Sequence, residues 1–344
     1  MTEASNESNK LITPGLTEAD RQKRVLDLVE EIKRSADGLH TDGSSRGDMK
    51  ILARAVRELR YAFKVFSPYR RRRKVTVFGS ARTRPEEPAY IHAVEFARRM
   101  AEHNWLVVTG AASGIMEAGH RGAGRENSMG LNIMLPFEQS ANPIIAGDPK
   151  LVNMKYFFTR KLMFVKECDA VVCLPGGFGT LDEAMEVITL LQTGKRDMVP
   201  VILLDAPGGT YWKSLDNFIK SELLTARLIS PEDVHLYKVT ESIDDSVSEI
   251  LNFFTVYHSM RFVRNQLVLR LKKKPTDALL EGINATFSDI CTEGGFELRG
   301  PLSAEREEDD LVDLPRLVFR FNRRSQGRLR LVIDSLNKGE IVNG

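Results

Sequence analysis

Three cysteines in 344 residues, Cys168, Cys173 and Cys291, are too few and too irregularly spaced for a disulfide framework or a metal-ligand set. They read as small buried thiols in a reducing compartment, and no metal is expected. No apolar run approaches the roughly 20 residues needed to span a bilayer. The opening stretch "MTEASNESNKLITPG" is polar and lacks the apolar centre of a secretory signal. These absences point to a cytoplasmic protein with no membrane partner. An excess of either charge is also missing: 49 Lys and Arg stand against 47 Asp and Glu. Wholesale binding to nucleic acid is therefore not expected. The local exception is the five adjacent cations at 70–74, which read as mating with acidic surface, either 305–310 or a second subunit. No internal repeat is present.

What the chain does contain changes in texture along its length. Residues 1–15 read as a disordered tail. Val25, Leu28, Val29 and Ile32 recur at i, i+3, i+4 and i+7 and predict a helix. Leu52, Val56, Leu59 and Phe63 predict a second over 49–66. With a linker at 40–48, residues 16–73 are expected to form a helical hairpin laid on a larger body. From 74 to 255, short β-branched runs alternate with helical stretches, the pattern of βαβ units and a parallel sheet. Strands are predicted at 75–78, 105–109, 130–135, 169–174 and 199–204, with a short further piece at 156–158. Helices are predicted at 87–102, 115–125, 159–166, 180–193 and 211–221. Residues 256–344 read as a small α+β unit. It has strands at 262–271 and 316–321, and helical stripes through Leu279, Ile283, Phe287 and Ile290 and through Leu329, Val332, Ile333 and Leu336. The acidic segment 305–310 reads as a solvated excursion. This unit is expected to bind an effector or form a dimer contact.

Strands of the middle region end in small or turn-forming residues: "GSAR" (79–82), "GAASG" (110–114), "PFEQS" (136–140) and "PGGFG" (175–179). In an open parallel sheet those carboxyl ends line the ligand crevice, so four loops are expected to converge. The glycine-rich turn in "LPGGFGTLDEAMEV" suits an anion: backbone N–H groups approach closely and a helix N-terminus adds partial positive charge. It lacks the Gly-Lys-Ser/Thr of a P-loop and the third glycine of a dinucleotide fingerprint, so a monophosphate fits better. Thr180 and Glu183 also have capping-box spacing, in which case Glu183 would only cap its helix. Yet a carboxylate beside a bound phosphate is unfavourable unless it has work to do or a cation to answer it. Arg160 and Lys161, at the start of the preceding predicted helix, are the candidate cations; arginine suits planar recognition of phosphate.

Arg160-Lys161 followed by Pro175-Gly176-Gly177-Phe178-Gly179-Thr180-Leu181-Asp182-Glu183 resembles the paired signature R-K…P-G-G-x-G-T-x-x-E. That signature marks the LOG ("Lonely Guy") nucleotide phosphoribohydrolases, once widely labelled lysine decarboxylases. The likeness continues through "VTVFGSAR" (75–82), "VVTGAASGIMEAGHRGA" (107–123), "GLNIMLPFEQ" (130–139) and "VITLLQTGK" (187–195). It covers roughly residues 74–225, and the outer segments look like those of longer bacterial members.

The resemblance implies a Rossmann-like doubly wound sheet that dimerises, and no metal or organic cofactor. The implied reaction is hydrolysis of the N-glycosidic bond of a nucleoside 5′-monophosphate, AMP or cytokinin riboside monophosphate-like, to free base and ribose 5-phosphate. It would place Gly176, Gly177, Gly179 and Thr180 on the 5′-phosphate, with Lys161 near them. Glu183 would sit at the ribose, and Arg160 on the nucleotide, favouring departure of the base. Ser80 and the loop from Gly110 to Gly114 would wall the pocket, and Met116 and Glu117 would approach the base. Ala111-Ala112-Ser113 stands where many members carry glycines, which bears on substrate preference. The competing reading is a non-catalytic carrier of a nucleotide or of molybdenum cofactor. Intact Arg160 and Glu183 argue against it.

Overall fold

A computed structural model describes residues 18–135, 140–305 and 311–342. The expected tail at 1–15 and positions 136–139 of the third loop lie outside the described residues. In chain order the helices are α1 (Glu18–Thr41), α2 (Arg46–Phe66), α3 (Pro88–Glu102), α4 (Ile115–Ala123), α5 (Phe157–Glu167), α6 (Phe178–Gln192), α7 (Tyr211–Phe218), α8 (Ile243–Phe253), α9 (Asp277–Phe287) and α10 (Gln326–Lys338). The strands of the main sheet are β1 (Lys74–Phe78), β2 (Leu106–Thr109), β3 (Ser128–Ile133), β4 (Leu151–Met154), β5 (Ala170–Cys173), β6 (Val201–Leu204) and β7 (Lys238–Thr240). Those of the second sheet are β8 (Tyr257–Val263), β9 (Gln266–Leu271), β10 (Glu297–Arg299) and β11 (Arg316–Phe319).

The main sheet is parallel throughout, in the order β4-β3-β2-β1-β5-β6-β7. The chain steps outward from β1 to β4, then returns to the other side of β1 with β5. This is a doubly wound, Rossmann-like arrangement whose switch point lies between β1 and β5. Val75, Val77, Val171, Val172, Ile202 and Leu203 are fully buried. Strands covered on both faces carry such continuous apolar runs rather than alternation. Helices α3, α4 and α8 pack together against β1, β2 and β6, while α5, backed by α2, covers β3 and β4. The second sheet is antiparallel, in the order β10-β11-β9-β8, with α10 packed on α8, α9 and β8.

Several elements differ from expectation. The linker at 40–48 shrinks to residues 42–45, because α1 runs to Thr41 and a capping box between Ser45 and Asp48 starts α2. The stripe on α1 is not packed, with Val25, Leu28 and Ile32 59 to 61% exposed. Helix α2 turns Leu52, Val56 and Phe63 outward and buries Ala55, Glu58, Ala62 and Phe66 instead. Small alanines allow close approach, so the largest apolar stripe is not the buried one. The run 156–158 is not a strand: Tyr156 caps α5, and the strand beside β3 is β4, just upstream. The short edge strand β7 and helix α8 went unpredicted.

In the C-terminal unit the single strand at 262–271 is a hairpin, turned where Arg264 takes a left-handed φ of 55°. The acidic segment is not simply solvated: Glu305 is fully buried between Arg270 and Arg316, at 3.0 and 3.3 Å. Of the acidic segment expected to meet the basic run 70–74, residues 306–310 lie outside the described residues. Arg72 donates to Asn127 Oδ1 (3.0 Å), Arg73 pairs with Asp169 (2.8 Å), and Lys74 faces Glu167 (3.7 Å).

Candidate active site

Pairing of Phe78 with Cys173 at the switch point sets the loops after β1 and β5 side by side. Ser80 N–H donates to the Pro175 carbonyl (3.2 Å), and Ile115 N–H donates to the Ser80 carbonyl (2.9 Å), tying in the loop after β2. This close weave demands glycine at two places. A Cβ on Gly176 would overlap the Thr180 hydroxyl and come within 2.9 Å of Ser80 N. Gly114, at φ +65°, caps α4 with its α-carbon against the Ser80 carbonyl, where any side chain would collide. From the other side, the Tyr211 hydroxyl donates to the Gly176 carbonyl (2.7 Å).

The Ala111-Ala112-Ser113 departure resolves into a braced turn. Ala111 holds φ +61°, a conformation costly for a residue with a Cβ. Its N–H donates to Thr109 Oγ1 (2.9 Å), and its carbonyl accepts from Asn142 N–H (2.8 Å). Buried His120 joins Thr109, Asn142 and the Met129 carbonyl. Burial pulls its imidazole down to about 4, so it is neutral and serves as a fixed strut. The Ala111 methyl lies against Gly130 in the interior, and only Ala112 lines the crevice.

The loops enclose a cavity of about 800 Å³. Arg160, in the first turn of α5, reaches under it and donates from Nε to the Leu131 carbonyl (2.8 Å). Its guanidinium lies so close over Gly110 that a Cβ there would overlap it. Burial draws Arg160 down to about 10, against the pull of Glu183, so it stays charged at neutral pH. Glu183 is buried on α6. Burial pushes its carboxyl above the usual range, and Lys161 and Arg160 only partly offset this. Lys161 meets Glu183 at 3.6 Å, and Asp182 and Glu186 at 2.9 and 2.8 Å. Burial acts to lower Lys161, but Glu186 and Asp182 overcome it and raise its pKa. Among the described residues, no group of three His, Cys, Asp or Glu side chains could hold a metal ion.

The capping box expected at Thr180 and Glu183 is absent. Helix α6 begins at Phe178, with Gly177 at the N-cap and no side-chain cap. Thr180 is thus the third helical residue, and Glu183 falls in the second turn, pointing inward rather than back to the helix start. The Thr180 N–H turns back to the Gly177 carbonyl (3.0 Å), while the N–H groups of Gly177, Phe178 and Gly179 precede the first intrahelical acceptor. Ser80, Gly110, Met116 and Arg160 line the cavity from one side; Gly176, Gly177, Gly179, Thr180 and Glu183 line it from the other. Three anticipated residues do not line it. Lys161 is held by its carboxylates on a neighbouring groove, Gly114 stands behind Ser80, and Glu117 pairs with Arg121 (2.9 Å). Other lining residues went unpredicted: Arg82, Asn132, Phe157 and Phe178, the last 92% exposed. Asn132 had a signal, an amide in the middle of an apolar strand. An aromatic exposed at the head of a helix had none that periodicity can read.

Residues 109–250 match the family model described as "Possible lysine decarboxylase". Over 202 residues the chain is 28% identical to a "Probable cytokinin riboside 5′-monophosphate phosphoribohydrolase" of Oryza sativa subsp. japonica, covering 57% of this chain and 73% of the relative. Over 152 residues it is 32% identical to a cytokinin riboside 5′-monophosphate phosphoribohydrolase of Arabidopsis thaliana, covering 43% of this chain and 67% of the relative. Three further plant relatives are spanned over 42, 59 and 51% of their length. Among solved structures, the molybdenum cofactor binding protein of Rippkaea orientalis superposes with a TM-score of 0.36 at 21% identity, over 54% of this chain and 99% of its own.

Proposed function

The chain belongs to the LOG family of cytokinin riboside 5′-monophosphate phosphoribohydrolases, and on that premise we propose that it hydrolyses the N-glycosidic bond of a nucleoside 5′-monophosphate. The observation that carries the reading is the meeting of Arg160 and Glu183 in one cavity at the switch point, beside the glycine-capped start of α6. The 5′-phosphate docks on the N–H groups of that first turn and on the Thr180 hydroxyl. Glu183 faces the ribose, where its carboxylate stabilises the oxocarbenium-like transition state and orients water. Arg160 holds the nucleotide from beneath. Water oxygen bonds to C1′ as the C1′–N bond breaks; the electron pair and a proton go to the leaving base, giving free base and ribose 5-phosphate. The substrate is AMP or a cytokinin riboside monophosphate, the latter being what the plant relatives are named as acting on.

The working unit on this reading is a cytoplasmic homo-oligomer. The three free thiols and the exposed apolar stripes on α1 and α2 support it. No helix among the described residues is long and apolar enough to cross a membrane. Residues 16–73 form the helical extension, 74–255 the catalytic unit and 256–344 the accessory unit.

The test is a panel of nucleoside 5′-monophosphates and matching nucleosides, with free base and ribose 5-phosphate followed by chromatography. Base released from monophosphates alone is expected, and the panel then ranks the bases. Tight nucleotide binding without release from any of them would overturn the reading and leave a carrier.

A further inference from the structure

The amino end of the same sheet holds a second cavity, of about 410 Å³, where the chain entering β5 and β6 meets β8 of the C-terminal unit. Its charged walls are Arg73, Lys166, Lys195 and Arg196, against Asp169 and Asp197. With Glu167 just outside the lining, four cations meet three carboxylates, an excess of one positive charge. Arg73 uses Asp169 (2.8 Å), and Lys166 uses Glu167 (2.5 Å) outside the cavity lining. Arg196 is different. One nitrogen donates to the Cys168 carbonyl, while Nε and Nη1 are buried from solvent with no hydrogen-bond partner. Two guanidinium nitrogens without acceptors carry a desolvation penalty that an anion would relieve.

A second feature of the same walls points the same way. His258 lines the cavity from the C-terminal unit. Burial, then Arg73, Lys272, Arg270 and Arg316, hold its imidazole down to about 4, so it is neutral at neutral pH and reports on charge arriving in the cavity. Arg73 also lies over the Phe254 ring, 3.5 Å from its centroid, and its Nη2 donates to the His258 carbonyl (3.2 Å). It therefore joins the basic run 70–74 to the wall of the cavity.

We propose that this junction is a binding site for the phosphate group of a small molecule, with Arg196 as its principal donor and Lys195 at its rim. A phosphate group answers the excess positive charge and supplies acceptors for the unpartnered Arg196 nitrogens. The ligand ties β8 to the amino ends of β5 and β6, and so fixes the accessory unit on the sheet.

The experiment titrates inorganic phosphate into the full chain at constant ionic strength, reading the His258 ring signal by NMR, assigned through His258→Asn. Phosphate is expected to raise the apparent pKa of His258 and to saturate. Arg196→Met should weaken that response at least tenfold, and Lys195→Met more mildly should the first variant fold poorly. Gly179→Val, which fills the catalytic crevice at a position where a Cβ meets nothing within 4 Å, should leave it intact. Ribose 5-phosphate and glucose 6-phosphate form the second arm: tighter binding than inorganic phosphate identifies a phosphomonoester, equal or weaker binding free phosphate. A His258 signal that ignores phosphate, or follows chloride equally well, or survives both Arg196→Met and Lys195→Met, would overturn the proposal.

Discussion

Glu183 in the crevice and Glu305 in the C-terminal sheet are both buried carboxylates set between two cations. Glu305 is closed in: Arg270 donates to its Oε1 at 3.0 Å, and its Oε2 takes both Arg316 and the Leu302 N–H at 3.3 Å. Glu183 has Lys161 at 3.6 Å, beyond hydrogen-bond length, and Arg160 acting through space beside a large cavity. The first carboxylate is spent on holding structure. The second is buried without being satisfied, which burial answers by raising its pKa. That is the state expected of a group kept ready for substrate.

Replacing each acid with its amide separates the two cases. Glu183→Gln should cut base release about 10²–10⁴-fold, the scale of a positioned acid or base. It should not lower Tm. A carboxyl whose folded pKa lies above its unfolded value loses stability as pH rises through that interval, so the ionised form is a net cost at neutral pH. An amide escapes this cost, and Tm should hold or rise by the equivalent of about 0.5–2 kcal/mol, as trade-offs between stability and activity commonly give. A falling Tm together with falling activity would place Glu183 with Glu305. Glu305→Gln should do the reverse. Removing one partner of a buried ion pair costs about 3–5 kcal/mol, visible as a lower denaturation midpoint, with kcat per folded molecule unchanged.

A third variant sharpens the contrast through pH. Arg160 lowers the pKa of Glu183 by its charge, although burial keeps the net shift upward. The acid limb of kcat/KM should therefore lie above the ordinary glutamate range. Arg160→Met should move it to higher pH still, while costing about 10–100-fold in kcat/KM for the lost charged contact, roughly 1.5–3 kcal/mol. A limb that stays in place would mean that Glu183 is not the group titrating.

The same two residues show what was legible in the sequence. Glu183 stood at fixed spacing in a glycine motif behind an apolar strand, so the parallel sheet, its switch-point loops and the Arg160–Glu183 pairing could be anticipated. The capping role could not be dismissed, because four residues do not tell where a helix begins; Gly177, not Thr180, turned out to be the N-cap. Glu305 opened a run of acids, which composition reads as solvated. Its partners Arg270 and Arg316 sit on β9 and β11, 35 and 11 residues away, and only the strand register brings them together. The same blindness hid the face by which α2 packs: Ala55 and Ala62 carry too little apolar surface to announce an interface, while Leu52 and Val56 announce one that the fold leaves open.

The smallest predicted effect concerns how the crevice is held open. The Gly176 carbonyl accepts the Tyr211 hydroxyl at 2.7 Å. Tyr211 stands at the start of α7, after β6, so the glycine loop is positioned by the neighbouring strand's connection as well as by its own helix. Tyr211→Phe keeps the ring on Trp212, 4.8 Å between centroids, and removes only the donor. The net loss of one neutral hydrogen bond is about 0.5–1.5 kcal/mol. On the proposed reading the loop holds the phosphate rather than the glycosidic bond, and the change should then appear as a several-fold rise in KM with kcat nearly constant. A fall in kcat with KM unmoved would mean that Tyr211 acts on the chemistry and not through the loop it braces.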